Sequence, residues 1–386
     1  MKREVSVVGA ALLAAAAILG FGSTAAALTF GVPSTFDNTC TRDVTQPLAT
    51  WLRALPDGTS TTNRTVVLFP PGCYRIDGTL ELFNRHHIAL SAAGAVGTTQ
   101  LRAMRDAPRG TARAQLQLNQ GNDIRVTGLT MRGSNPDGGG YSGAFEHDHN
   151  VAIMGATHVR LYNLNLLNAH GDGVQVSPGG NWNAQGVGAA IPGDIRIRGS
   201  VIRSTGRHGV TCTACDGLSV ESSSFDLIGY HVFDQEAEAA TWPTRHIRLV
   251  GNRIGSVYLG FYAGVSGYSF DVSDIVIAQN VMTGARRTCF PAIAIGSPLI
   301  SPKGVSITGN DLLSLTGAFF LTNASNAQIT SNRASGQGSC NGPGGAVVLT
   351  GGNTISVTNN VFYEAVRDVD IMAPVTNLVR SNNQLR

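Results

Sequence analysis

Apolar residues in this chain recur in pairs one position apart, and an asparagine follows each pair at a fixed distance. The phrase reads Ile247-Arg248-Leu249 with Asn252, Ile275-Val276-Ile277 with Asn280 and Val305-Ser306-Ile307 with Asn310. It continues as Ala327-Gln328-Ile329 with Asn332, Ile355-Ser356-Val357 with Asn360 and Asn377-Leu378-Val379 with Asn382. The steps between asparagines are 28, 30, 22, 28 and 22 residues. Alternation with period two predicts a short strand, and the turn residue after it predicts where the strand ends. Recurrence at this spacing predicts stacked supersecondary units.

Upstream the asparagine gives way to serine: Ile195-Arg196-Ile197 runs to Ser200 and Leu218-Ser219-Val220 to Ser223. Val159-Arg160-Leu161 and Ile124-Arg125-Val126 are earlier copies. Another apolar strand follows most turns, as at Val174-Gln175-Val176, Val210-Thr211-Cys212, Phe319-Phe320-Leu321, Val347-Val348-Leu349 and Val369-Asp370-Ile371. Such short strands bury an apolar face only by stacking coil on coil. The fold class that follows is all-β, a right-handed single-stranded parallel β-helix. A sandwich would show longer, more even strands, and no Leu-rich consensus supports a leucine-rich repeat. Asparagine suits the turn because it tolerates left-handed angles and because stacked amides can bond one another in a ladder.

Ahead of the coils, Leu48, Trp51, Leu52 and Leu55 recur at helical spacing and Pro56-Asp57-Gly58 ends the run. A capping helix over 43–56 is expected, covering the open end of a solenoid whose coils occupy 64–386. Residues 1–27 read as a signal peptide: Lys2 and Arg3, an apolar stretch from Val5 to Gly22, then Ser23-Thr24-Ala25-Ala26-Ala27. The β-helix domain is then 28–386, in a secreted protein that keeps no membrane segment once the signal is removed.

The next stretch, Val66-Val67-Leu68-Phe69-Pro70-Pro71-Gly72-Cys73-Tyr74 followed by Ile76-Asp77-Gly78-Thr79-Leu80, resembles the opening of the pectate-lyase-like superfamily of secreted β-helix proteins. The resemblance covers essentially the whole mature chain. It implies the fold and leaves the reaction open among polysaccharide lyases, glycoside hydrolases, sugar epimerases, tailspikes and adhesins.

The six cysteines all lie beyond the signal segment, which in an exported chain points to disulfides. The expected pairs are Cys40–Cys73 across the cap and Cys289–Cys340 between later loops. Cys212-Thr213-Ala214-Cys215 is read as a local disulfide or two reduced thiols, since no second C-x-x-C and no thioredoxin-like context accompany it. Among 28 basic residues only Lys2 and Lys303 are lysines, and the net charge of +3 argues against a nucleic-acid partner. A monomer is expected.

Aligned on their first valine, His147-Asp148-His149-Asn150-Val151, His170-Gly171-Asp172-Gly173-Val174 and Gly206-Arg207-His208-Gly209-Val210 fall into register. Tyr230-His231-Val232 follows, with Asp234 and Glu236 beyond. One column would hold His149, Asp172, His208 and Tyr230, and another His147 and His170. His86, His87, His158 and His246 sit just before apolar strands or in the early cap region and read as structural, as do Asp123, Asp194 and Asp274.

A stacked His and Asp can hold one imidazole tautomer with its basicity near neutrality, and an Arg can stabilise a carboxylate gaining enolate character. This kit fits a lyase or C5-epimerase acting on an acidic, uronate-containing polysaccharide. In that reading His208 is base or acid, Asp172 its orienter and Arg207 the carboxylate partner, with His149, His170 and Tyr230 as proton carriers or subsite contacts. Trp182, Trp242, Tyr141, His231, Asp234 and Glu236 are the candidate substrate contacts. The Arg207-His208-Gly209 turn resembles turns of β-helix carbohydrate enzymes, but the epimerase D-P-H and the polygalacturonase set of motifs are absent.

Two alternatives stand. A hydrolase of the polygalacturonase-like type would use Asp172 with Asp234 or Glu236. A non-catalytic β-helix would bind glycans or support adhesion. No cofactor is expected and no metal site is assigned: a row of His147, His149, His170, Asp172 and His208 is more open than a tetrahedral cage, and a divalent cation is left open.

Overall fold

The computed structural model describes residues 27–136, 140–180, 189–239, 241–267, 271–285, 290–313, 319–335 and 345–386. The expected signal segment up to residue 26, Trp182, Cys289 and Cys340 lie outside the described residues.

The chain winds into a right-handed parallel β-helix whose named strand pairs are all parallel. Each coil contributes up to three strands. The phrase strand builds the first sheet, through Asn122–Thr127, Thr157–Tyr162, Gly193–Arg198, Cys215–Glu221, Thr244–Val250, Val272–Ala278 and Lys303–Thr308. The strand after the Asn turn builds the second, a 13-stranded sheet. The third comprises Leu80–Phe83, Arg113–Asn119, Asp148–Met154, Val174–Ser177, Val210–Cys212, His231–Ala237, Gly260–Gly267 and Ile293–Ile295. From Phe319 onward the third strand of one coil runs into the first strand of the next, in Phe319–Thr330, Gly345–Thr358 and Arg367–Ser381.

Register explains the core. Val67, Leu90, Val126, Leu161, Ile197, Val220, Leu249, Ile277, Ile307, Ile329 and Val357 stack as one inward column, each nearly inaccessible to water. Burying such an aliphatic side chain contributes about 1.5–3 kcal/mol. In the last coil Arg380 takes the same register, which ends the column in a charged side chain.

The turn between first and second sheets holds the asparagine ladder. Asn252, Asn280, Asn310 and Asn332 each place the backbone N–H and the side-chain amide on the Oδ1 of the next rung, at 2.9–3.0 Å. The amide also donates to a carbonyl of the coil before, as from Asn280 to Leu249 at 2.9 Å. Ser200 and Ser223 continue the ladder upstream: the Ser200 N–H donates to Ser223 Oγ and the Ser223 N–H to Asn252 Oδ1.

Two expectations need correction. The last rung is Asn383, not Asn382, because Asn360 bonds Asn383 Oδ1 and Asn382 takes the left-handed turn position at φ 54°. The ladder residue itself is not the left-handed one: that conformation falls on its predecessor, Gly251, Gln279, Gly309, Ser331 or Asn359. His158, Asp194, His246 and Asp274 occupy a second left-handed position just before the phrase.

Thr45–Ala54 is the one helix among the described residues, and it covers the first coil with Leu48 and Leu52 fully buried. Arg85 caps its end, donating to the carbonyls of Leu52 and Leu55 at 2.6 and 2.9 Å. Cys40–Cys73 is a disulfide beside this cap, and Cys212–Cys215 is a local disulfide in the core. No helix among the described residues is long and apolar enough to cross a membrane.

Candidate active site

The third sheet turns its outer face to solvent where the histidine-rich stretches stack. Val151, Val174, Val210 and Phe233 are in register, so the residues two positions earlier form one column: His149, Asp172, His208 and His231. His231 takes the place expected for Tyr230. Val232 and Phe233 are adjacent apolar residues, and Phe233 is the one that pairs with Val210.

A ladder of side chain to backbone bonds ties this column together. The Asp172 N–H donates to His149 Nδ1 at 2.9 Å, the His208 N–H to Asp172 Oδ1 at 3.0 Å and the His231 N–H to His208 Nδ1 at 3.3 Å. An accepting Nδ1 places the imidazole proton of His149 and His208 on Nε2. Glycines allow the coils to close so tightly. A Cβ on Gly206 would run into the His170 carbonyl oxygen, and one on Gly209 would meet the Phe225 ring and the Val232 carbonyl oxygen.

The column carries charge sideways. His208 Nε2 donates to Asp234 Oδ2 at 3.0 Å. Arg207 Nη2 donates to Glu236 Oε1 at 2.6 Å and its Nη1 lies 3.8 Å from Asp172. Asp234 and Glu236 lie two residues apart on one strand. Burial and the charge on Asp234 push Glu236 up to about 8, against the pull of Arg207. Asp234 goes the other way, to about 2: burial opposes its charge, but His208, with His231 beside it, more than compensates. Burial works against protonation of His208, but Asp234 raises it overall. Burial lowers His149 and His231 to about 4. Arg207 is held firmly protonated: burial opposes its charge, and Asp172 and Glu236 more than compensate.

His149, Arg207 and Glu236 of this network line one wall of a groove of about 430 Å³. Glu146, His147, His149, Arg207, Glu236 and Glu238 face it, with Gln117, Gln175 and Ser177 between them. Glu146 accepts from the Tyr141 hydroxyl at 2.9 Å, and His147 is half exposed. The Tyr141 ring meets Tyr230 edge-on, and Tyr230 continues to His208 and Tyr258. Arg113, which also lines the groove, is bound to both oxygens of Asp148, a buried pair.

The structure brings His149, Asp172, Arg207, His208, His231, Asp234 and Glu236 into one network, with Tyr230 and Tyr141 at its edge. It rearranges several expected roles. His208 is oriented by Asp234, whereas Asp172 is fully buried and holds the His208 backbone. Arg207 is already matched by Glu236 and Asp172 and is not a free partner for a substrate carboxylate. His170 does not join His147: its Nε2 bonds Asp106 at 3.0 Å and its ring packs on Phe145. Trp242 is 4% exposed and presents no open face to a sugar. Asp234 and Glu236 lie on the strand His231–Ala237.

Glu146 and Glu238 are groove residues that sequence reasoning missed. Asp234, Glu236 and Glu238 alternate with period two, a signal that was available. His87, His158 and His246 bond Asp123, Asn122 and Asp216, away from the groove. Ligating atoms of His208, His231 and Asp234 lie within 4.8 Å of one another, the one such metal-competent group among the described residues. A metal there would have to displace the His208–Asp234 bond.

No protein-family model matches the chain, and no curated protein matches it by sequence. Solved structures do. The pre-mature bacteriophage phi29 gene product 12 aligns at TM-score 0.62 and 13% identity, over 90% of this chain and 51% of that one. The family 28 exopolygalacturonase of Yersinia enterocolitica aligns at 0.56 and 13%, over 93% and 78%. The catalytic unit of a GH87 α-1,3-glucanase from Streptomyces thermodiastaticus aligns at 0.53 and 12%, over 93% and 70%. The chain thus spans about half the length of the phage protein. These likenesses establish the parallel β-helix fold.

Proposed function

We propose that this protein is an exported glycoside hydrolase acting on a neutral polysaccharide. The observation that carries the reading is the Asp234–Glu236 pair: two carboxyl groups on one strand pushed in opposite directions, the protonated one facing the groove. An environment that keeps a groove carboxyl protonated in this way marks it as the general acid. Glu236 donates its proton to the glycosidic oxygen as the bond to the anomeric carbon breaks. Water attacks that carbon and gives its proton to Glu146, the second carboxylate offered by the groove, while Glu236 is reprotonated from solvent. Asp234 keeps the proton on Glu236, and His208 keeps Asp234 ionised.

The groove's charge favours a neutral substrate. Glu146 and Glu238 face it beside the protonated Glu236, and its two arginines, Arg113 and Arg207, lie against the buried carboxylates of Asp148 and Asp172. A uronate chain would meet acids and no unmatched cation. Tyr141 and Tyr230 offer ring faces for sugar stacking. The two disulfides support export to an oxidising compartment. One neighbour in fold, named as an α-1,3-glucanase, acts on a neutral glucan.

Elimination or C5-epimerisation of a uronate is the second reading. Half-exposed His147, beside His149 on the groove wall, favours it. A panel of neutral and acidic polysaccharides, assayed for reducing ends and for ultraviolet-absorbing unsaturated ends, separates the two. The expected result is reducing ends from a neutral glycan, lowered about 10²–10⁴-fold in Glu236→Gln. Unsaturated ends, or full activity of Glu236→Gln, would overturn the assignment, and no turnover on any glycan would leave a binding protein.

A further inference from the structure

The second sheet carries a row of arginines that the groove does not use. On its outer face Arg75, Arg102 and Arg132 stand in register on successive coils, followed by Leu167, Arg203 and Asp226. Neighbouring strands are about 4.8 Å apart. Arg75 is held by Asp77 at 2.6 Å, whereas Arg102 and Arg132 stand directly opposite each other on adjacent strands, an arrangement of like charges that destabilises a sheet.

The row runs into a groove of its own. One stretch of about 510 Å³ is lined by Arg102, Arg105 and Arg132 with Ser134, Asn135 and Asn168. It continues through Arg132 and Asn168 into a stretch of about 360 Å³ that adds Arg203 and Ser204. Asp106 is the one acid among the described residues lining either stretch, and its carboxylate takes His170 at 3.0 Å. The Arg203–Asp226 pair is exposed on both sides at 3.3 Å, so solvent screens it and a ligand can replace it.

We propose that this face binds an anionic, carboxylate-bearing polysaccharide, at a site separate from the candidate active site. Guanidinium forks match carboxylates in a bidentate fashion. The row follows the solenoid axis, so a repeating polymer meets the same side chain on successive coils. No aromatic ring lines the groove among the described residues, and single-stranded nucleic acid would lack the stacking that normally holds it. The proposal stands whether or not the third-sheet groove is a hydrolase.

Calorimetric titration of the full chain with polygalacturonate, with dextran as the neutral control and a single-stranded oligonucleotide as the rival polyanion, tests this. Wild type is expected to bind polygalacturonate, to ignore dextran, and to lose about tenfold in affinity from low to physiological salt. Arg102→Gln/Arg132→Gln is expected to weaken binding at least about tenfold. Exposed Arg105→Gln, which leaves the sheet untouched, should weaken it two- to threefold and covers the case in which the double variant misfolds. Failure of wild type to bind, salt-independent binding, unchanged affinity in the folded variants, or tighter binding of the oligonucleotide would each overturn it.

Discussion

Truncating one rung of the asparagine ladder, Asn310→Ala, should be among the most costly single changes in the solenoid. Asn310 Oδ1 accepts from the Asn280 backbone N–H at 3.0 Å and from the Asn280 amide at 2.9 Å, and its own amide donates to Ile277 and Asn332. Asn332 Oδ1 keeps the Asn310 backbone N–H as a donor after truncation, so it is not orphaned. Two N–H groups of Asn280 are. Each unsatisfied buried donor costs about 1–3 kcal/mol, giving about 2–6 kcal/mol in all. Asn310→Ser should lose about half as much, because a serine hydroxyl already accepts the backbone N–H of the preceding rung at Ser223. Urea unfolding read by circular dichroism measures both, with the first transition taken if the array loses cooperativity. A loss below about 1 kcal/mol for alanine, or serine no better than alanine, would refute this account of the ladder.

Other consequences are as direct. His149 and His231 are lowered to about 4 in the folded state, so unfolding takes up protons between roughly pH 6.5 and 4. Stability should therefore fall on acidification through that window, by up to about 1.4 kcal/mol per pH unit for each histidine, and His149→Gln should flatten the slope. Glu236 has the opposite sign: raised to about 8, it binds its proton more tightly folded than unfolded, so its contribution is lost as pH rises toward 8. Relative to wild type, Glu236→Gln should gain stability across that rise in a thermal melt. Asp148→Ala leaves buried Arg113 unpaired and should cost about 3–5 kcal/mol in urea unfolding.

The sequence made the architecture legible because register in a β-helix is written in its apolar alternation. That signal blurs wherever two equivalent residues stand side by side. Asn382-Asn383 offered two rungs, and only the backbone angle separates the left-handed turn residue from the ladder residue. Val232-Phe233 offered two apolar anchors, and choosing the wrong one moved Tyr230 into the column that His231 occupies. The clustering of His149, Asp172 and His208 was readable from spacing. Their partners were not: that His208 reaches Asp234 one coil on, and that Arg207 is spoken for by Glu236, follow from side-chain directions that no spacing encodes. His170 illustrates the same limit, because Asp106 arrives from a loop 64 residues earlier.

The protonation state of Glu236 is the most direct test of the central claim. Infrared difference spectra of wild type minus Glu236→Gln, recorded across pH 4 to 10, should show a protonated carboxyl band that persists at neutrality and disappears with a midpoint near 8. A band already lost by about pH 5, the ordinary carboxylate range, would mean that Glu236 cannot serve as the acid and would remove the basis for the hydrolase assignment.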